Sequence, residues 1–189
     1  MQRVAKNEYG FSLLELLTVL AIIGILAAMA TLGMDFVRRE RVMSASRMLL
    51  ADLQRMRGQS LTSAPPAAMP TLRGFGVNFI SSSSYSTFTF NDSFPPPGGN
   101  FIYDEAAEAI NARTTAIPVS VQLTINGAAP DNRILIFDRF GTPRADTWEF
   151  GIMTIVLTDP RVATDARCIV VSETRIREGN FAGGTCYQQ

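Results

Sequence analysis

The chain has 189 residues, with 17 basic and 17 acidic side chains, two cysteines and no histidine. That length suits one domain with an appendage and can bury a real core. The charge balance excludes a generally basic nucleic-acid coat and an acidic disordered tail. The absence of histidine removes Ser-His-Asp and Cys-His nucleophile systems and histidine-ligated zinc, and two cysteines cannot make a four-thiolate metal site. Mean hydropathy is +0.13 beside 18% charged residues, so either the core is large or one segment holds the excess.

One segment holds it. Residues 1–10, MQRVAKNEYG, are polar on balance and carry Arg3 and Lys6. Residues 11–34 follow as FSLLELLTVLAIIGILAAMATLGM, where only Ser12, Glu15, Thr18, Gly24, Thr31 and Gly33 fall outside the hydrophobic set. A helix needs about 20 such residues to cross a bilayer. The positive flank predicts a cytoplasmic N-terminus and an outward C-terminal domain. Three readings compete: a cleaved secretory signal with Ala28-Met29-Ala30 as its site, a plain signal anchor, and an assembly segment. Glu15 separates them. A carboxylate near a bilayer centre costs about 2.5–3.5 kcal/mol, and an ordinary signal has no reason to carry one.

Gly10-Phe11-Ser12-Leu13-Leu14-Glu15-Leu16-Leu17 resembles the prepilin motif of type IV pilins and type II secretion pseudopilins. The resemblance implies cleavage after Gly10 by the prepilin peptidase and N-methylation of the new terminus at Phe11. It implies that Glu15, one helical turn on, attracts the positive N-terminus of a neighbouring subunit during assembly. Two opposite charges in low dielectric are far cheaper paired than apart. The implied partners are that peptidase, other pilins or pseudopilins through the N-terminal helix, the membrane and an inner-membrane assembly platform. The implied location is the bacterial inner membrane, single-pass with the head periplasmic, and then a pilus or pseudopilus. No enzyme activity, cofactor or metal is expected. Many major pilins have a helix-kinking proline near the position of Leu32. This chain has none between residues 11 and 64, so a more continuous stem is expected.

The helical pattern continues beyond Met34. Val42, Ala45, Leu49, Leu53 and Met56 form an apolar stripe, with Arg47, Gln54 and Arg55 roughly opposite. Pro65-Pro66 ends the helix near Ser63. The expected parts are a leader over 1–10, a transmembrane or filament-core helix over 11–34, an amphipathic helix over 35–63 packed on the head, and a β-rich head over 70–189.

Strand-like runs fill the head. Residues 75–80 and 85–90, split by Ser81 to Ser84, form a hairpin candidate. Residues 91–100 read as a loop. Residues 104–113 leave a short helix and an irregular crossover both open, and the Asp104, Glu105 and Glu108 cluster reads as an exposed face. Val119 to Ile125 ends at the turn signal Asn126-Gly127. Arg133 to Phe137 and Trp148 to Leu157 read as strands joined through Asp138 to Pro143. Cys168 to Ser172 and Thr174 to Arg177 complete the set. The fold class is α+β, one long helix with a β-rich head. The segments RILIFDRFGTP and RCIVVSETRIR resemble the GspH/FimT family of minor pseudopilins and minor pilins. That resemblance implies a minor subunit that initiates, caps or decorates a filament.

Cys168 and Cys186 both fall in the expected outward compartment and read as a disulfide, with two independent thiols as the alternative. Closing that loop would give roughly 3 kcal/mol in the chain-entropy model. Charge is uneven along the chain. Residues 35–57 have a net charge of +3, and residues 58–189 have −3. The basic stretch reads either as a solvated helix face or as a surface for acidic heads of neighbouring subunits. Arg175 and Arg177, read as alternating on a strand, would project from one face about 7 Å apart and match successive phosphates of DNA. Some FimT-like proteins use a Gly-Arg-x-Arg motif there for DNA uptake in natural transformation. Here Thr174 stands in place of the glycine, and Glu173 and Glu178 flank the pair. A DNA-receptor minor pilin is therefore the alternative function, and a solvent-facing arginine pair the plainer reading.

Overall fold

A computed structural model describes residues 12–63, 71–94, 99–104 and 106–188, with the side chains of 29–33, 106, 163 and 188 left aside. Gly10, Phe11, Pro65, Pro66 and Glu105 lie outside the described residues. The chain divides into two compact units at Val37/Arg38. Helix α1 (Leu13–Thr62) runs without interruption, as its lack of an internal proline allows.

In the N-terminal unit every described side chain from Ser12 to Ala28 is exposed. Leucines and isoleucines on all sides of α1 present themselves outward, with Leu13 82% and Ile22 57% exposed. Among the described residues no helix is long and apolar enough to cross a membrane. The apolar run read from the sequence as a span includes Phe11 and residues 29–33, which that statement does not cover.

In the second unit the upper part of α1 is amphipathic, and its stripe is buried. Val42, Ala45, Leu49, Leu53 and Met56 are between 0 and 5% exposed. They meet the inner faces of two antiparallel sheets. The first has the order β3 (Ala109–Ala116), β2 (Ser84–Asn91), β1 (Leu72–Ser81), β5 (Arg133–Asp138) and β6 (Pro143–Arg144). The second has the order β10 (Thr185–Gln188), β9 (Ile176–Ala182), β8 (Arg167–Val171), β7 (Met153–Thr158) and β4 (Gln122–Ile125). Alternation sorts the side chains. Val77, Phe79, Leu135 and Phe137 from the first sheet, and Leu123, Ile155, Leu157 and Ile169 from the second, share one core with the helix stripe. On the other face of the first sheet, Phe88, Phe90, Ile134 and Ile136 pack under Tyr103 and Trp148.

Two polar contacts fasten α1 into this core. The Tyr85 hydroxyl donates to Asp52 at 2.7 Å, and Arg55 pairs with the same carboxylate at 2.9 Å. The Ser46 hydroxyl donates to Glu178 at 2.8 Å. A close backbone approach also fixes a residue type. A Cβ on Gly76 would lie 2.5 Å from the Phe88 ring, so β1 needs glycine where that ring crosses it.

The hairpin expected over 75–90 is β1–β2, which begins three residues earlier at Leu72 and ends one later at Asn91. The open segment 104–113 resolves into a 3-10 turn, Ala106–Glu108, followed by edge strand β3. Three expectations need correction. The strand read over 148–157 begins only at Met153, because Trp148 sits in a turn with φ +64°. The strand read over Thr174 to Arg177 begins only at Ile176 and runs on to Ala182. Residues 176–188 form the β9–β10 hairpin, turning at Gly183 and Gly184 with positive φ. Glu108 is not on an exposed face: it is 1% exposed and accepts the amide hydrogens of Ser93, Phe94 and Asp104.

Candidate functional site

The first candidate region is the start of α1. Gly10 and Phe11, the expected cleavage and methylation positions, lie outside the described residues. Glu15 lies in the first turn of the helix, exposed among exposed leucines. An acidic side chain there sits favourably at the positive end of the helix dipole. Thr18 donates its hydroxyl to the Glu15 backbone carbonyl at 2.9 Å, and the Glu15 side chain is exposed. A surface this apolar, carrying one acid, is not built to face water; it needs lipid or other protein around it.

The second region is the C-terminal arginine pair. Arg175 does not lie on a strand. It belongs to the turn between β8 and β9, where the Ser172 amide donates to the Arg175 carbonyl at 2.9 Å. Arg177 lies on β9 opposite Val170. The structure still brings the two together: Arg175, Arg177, Val170, Ser172 and Thr174 line one open cavity of about 350 Å³. Glu178 is on the opposite face of β9, turned towards Ser46, and does not crowd the pair. Glu173 remains exposed in the same turn.

The cysteines are joined. Cys168 on β8 and Cys186 on β10 form a disulfide with Cα atoms 5.9 Å apart, which ties the last strand directly to β8. Cys168 is fully buried with Val156 and Ala166, and Phe181 packs against them.

The basic stretch of α1 is partly engaged within its own unit. Arg39 pairs with Asp165 at 3.0 Å, and Arg55 with Asp52.

A third region escaped the sequence reading, which took Asp138 to Pro143 simply as a turn. Two buried aspartates are used in the same way. Asp92, fully buried, accepts the amides of Asn100 and Phe101 and the Nε of Arg73 at 3.1 Å. Asp138, 5% exposed, accepts the amides of Phe140 and Thr142 and the Nε of Arg144 at 3.0 Å. Each carboxylate thus folds one loop and aims one guanidinium. The arginines then lie over rings, Arg73 at 4.2 Å from the Phe101 centroid and Arg144 at 4.9 Å from that of Phe150. The available signal was the composition of DRFGTPR followed by Trp148 and Phe150, arginine and aromatic residues interleaved around one acid.

Comparison with known proteins bears on the first region. No curated protein and no solved structure matches the chain. Residues 5–31 match the prokaryotic N-terminal methylation motif. That stretch contains Gly10, Phe11 and Glu15 and runs into α1, and it is the prepilin signal of a type IV pilin-like precursor, the substrate of prepilin peptidase.

Proposed function

We propose that this chain is a minor pilin or pseudopilin, assembled into a type IV pilus or a type II secretion pseudopilus, where it initiates, caps or decorates the filament. The observation that carries the reading is the methylation motif over residues 5–31, leading into a helix whose apolar side chains are exposed from Leu13 to Ala28. The peptidase cuts after Gly10, and Phe11 becomes the methylated terminus. Before assembly, residues 11–34 hold the protein in the inner membrane as a single span with the head periplasmic. In the filament the same surface is buried among equivalent helices, and Glu15 meets the amino terminus of a neighbour. The affinity with the GspH/FimT subgroup rests on the two head segments quoted above. The test is Glu15→Ala in the native host. Processing should continue, read as loss of the first ten residues by mass spectrometry, while recovery in sheared filaments falls. Equal recovery would overturn the pairing role.

A second reading, a DNA-receptor minor pilin, is supported by the shared cavity of Arg175 and Arg177 and by the engagement of Glu178 with Ser46, away from that pair. It predicts a gel shift of DNA by the protein at low salt that Arg175→Ala/Arg177→Ala removes. No shift at low salt ends it.

A further inference from the structure

At the end of the head where α1 finishes, three arginines and three aromatic residues surround a cavity of about 300 Å³. Its walls include Arg73, Arg139, Arg144, Phe101, Phe140 and Trp148, and Leu72 and the Arg144-paired Asp138 complete the lining. The volume is at the lower end of small-molecule sites and holds one or two sugar-sized rings.

Several independent features mark it as built. Two of its ring residues, Phe101 and Trp148, hold left-handed backbone with φ of +67° and +64°. Bulky side chains adopt that conformation only where the surroundings impose it, and such positions cluster at functional sites. The two rings meet edge to face with centroids 5.6 Å apart. Arg73 and Arg144 are each held at Nε by a buried aspartate, so their planes are set before any ligand arrives. Arg139 differs. It lies 4.8 Å from the Phe140 ring centroid and has no carboxylate partner among the described residues. Formally, three guanidiniums face two carboxylates, and one positive charge is left over.

That charge count chooses the ligand class. Each strand of duplex DNA brings a phosphate roughly every 3.4 Å of helix axis. Among the described residues the cavity has one uncompensated guanidinium, Arg139, which matches a single carboxylate and not a run of closely spaced phosphates. A sugar acid brings one carboxylate per ring. Its pyranose C–H face suits Phe140, which is 68% exposed, and the indole of Trp148. Its hydroxyls suit the indole Nε1–H of Trp148, which makes no hydrogen bond among the described residues.

From this arrangement we infer that the cavity binds a sugar acid, a pyranose carrying one carboxylate, within or at the end of an acidic glycan. Arg139 pairs with the carboxylate. Arg73 and Arg144 line the ring's edge. The site is separate from the Arg175–Arg177 cavity and does not depend on how the protein is assembled.

Trp148 is the single tryptophan of the chain, so its fluorescence reports this site. The experiment titrates full-length protein in detergent micelles with trigalacturonate, with neutral galactotriose and with a short oligothymidylate. Trigalacturonate should give a saturable change, and galactotriose little or none. Arg139→Ala should weaken binding roughly tenfold, as loss of a charge-assisted hydrogen bond does. Arg175→Ala/Arg177→Ala and Glu15→Ala should leave it unchanged. Arg139 is exposed, so its variant should keep the wild-type unfolding temperature, and Phe140→Ala serves as a second variant. The inference is overturned by no saturable change with trigalacturonate, by equal binding of the neutral sugar, or by undiminished binding in both folded variants. Binding of oligothymidylate alone would assign the cavity to nucleic acid instead.

Discussion

The hydroxyl of Ser46 on α1 donates a 2.8 Å hydrogen bond to the carboxylate of Glu178 on β9, 132 residues further along the chain. Ser46 is fully buried, so nothing else competes for the contact. Ser46→Ala should cost about 1–3 kcal/mol, because the half-buried acceptor loses its donor. Chemical denaturation of wild type, Ser46→Ala, Glu178→Gln and the double variant would measure the coupling. Additive losses would show that the two residues do not act together.

Tyr85 and Asp52 form the other polar link between α1 and the sheets. Burial, then the hydrogen bond to Asp52 and the negative charge of that carboxylate, raise the Tyr85 hydroxyl well above its ordinary value of 10.0. The folded state therefore keeps its proton at a pH where the unfolded chain has lost it. The resulting stability is fully present below pH 10.0 and declines as pH rises beyond it. Tyr85→Phe should flatten that alkaline decline, and denaturation midpoints measured on both sides of the tyrosine range would reveal it. An unchanged slope would contradict the assignment.

The disulfide closes an 18-residue separation between Cys168 and Cys186. Its reduction should lower stability by roughly 3 kcal/mol in the chain-entropy model. Reversible unfolding with and without reductant would show the shift, and Cys186→Ala alone should reproduce most of it. Cys168 is buried, so its replacement adds a packing loss that confuses the comparison.

Leu49 lies fully buried in the centre of the helix stripe. Leu49→Ala should cost about 2–5 kcal/mol through lost transfer energy and the cavity left behind. Arg47→Ala, on the exposed side of the same helix, should stay within roughly 0.5 kcal/mol. Similar losses for both would mean that this face of α1 is not the packed one.

Much of this arrangement was legible because periodicity carried it. The stripe from Val42 to Met56 predicted the buried face of α1, and alternation around Ser81 to Ser84 predicted the β1–β2 hairpin. The misreadings have physical causes. Trp148 belongs to a β-favouring residue type, yet it takes left-handed backbone so that its ring can cover Phe90. Gly179 belongs to a residue type disfavoured in strands, yet its pairing with Cys168 holds it within β9. Glu108 read as a surface acid and Asp92 as part of a loop, and neither spacing nor composition reveals that loop amides bury them. The Arg73–Asp92 and Arg144–Asp138 pairs were invisible for the same reason: both depend on where distant loops end.

The disulfide has one more effect, on the edge of the second sheet. β10 is an edge strand of four residues at the end of a hairpin. Such a strand is easily exchanged between identical molecules held side by side, as subunits of an assembly are. The bond from Cys186 to Cys168 anchors the strand to β8 of its own sheet. A reduced subunit could lend its last strand to a neighbour; the oxidised one cannot, and stays a self-contained unit however closely it is crowded.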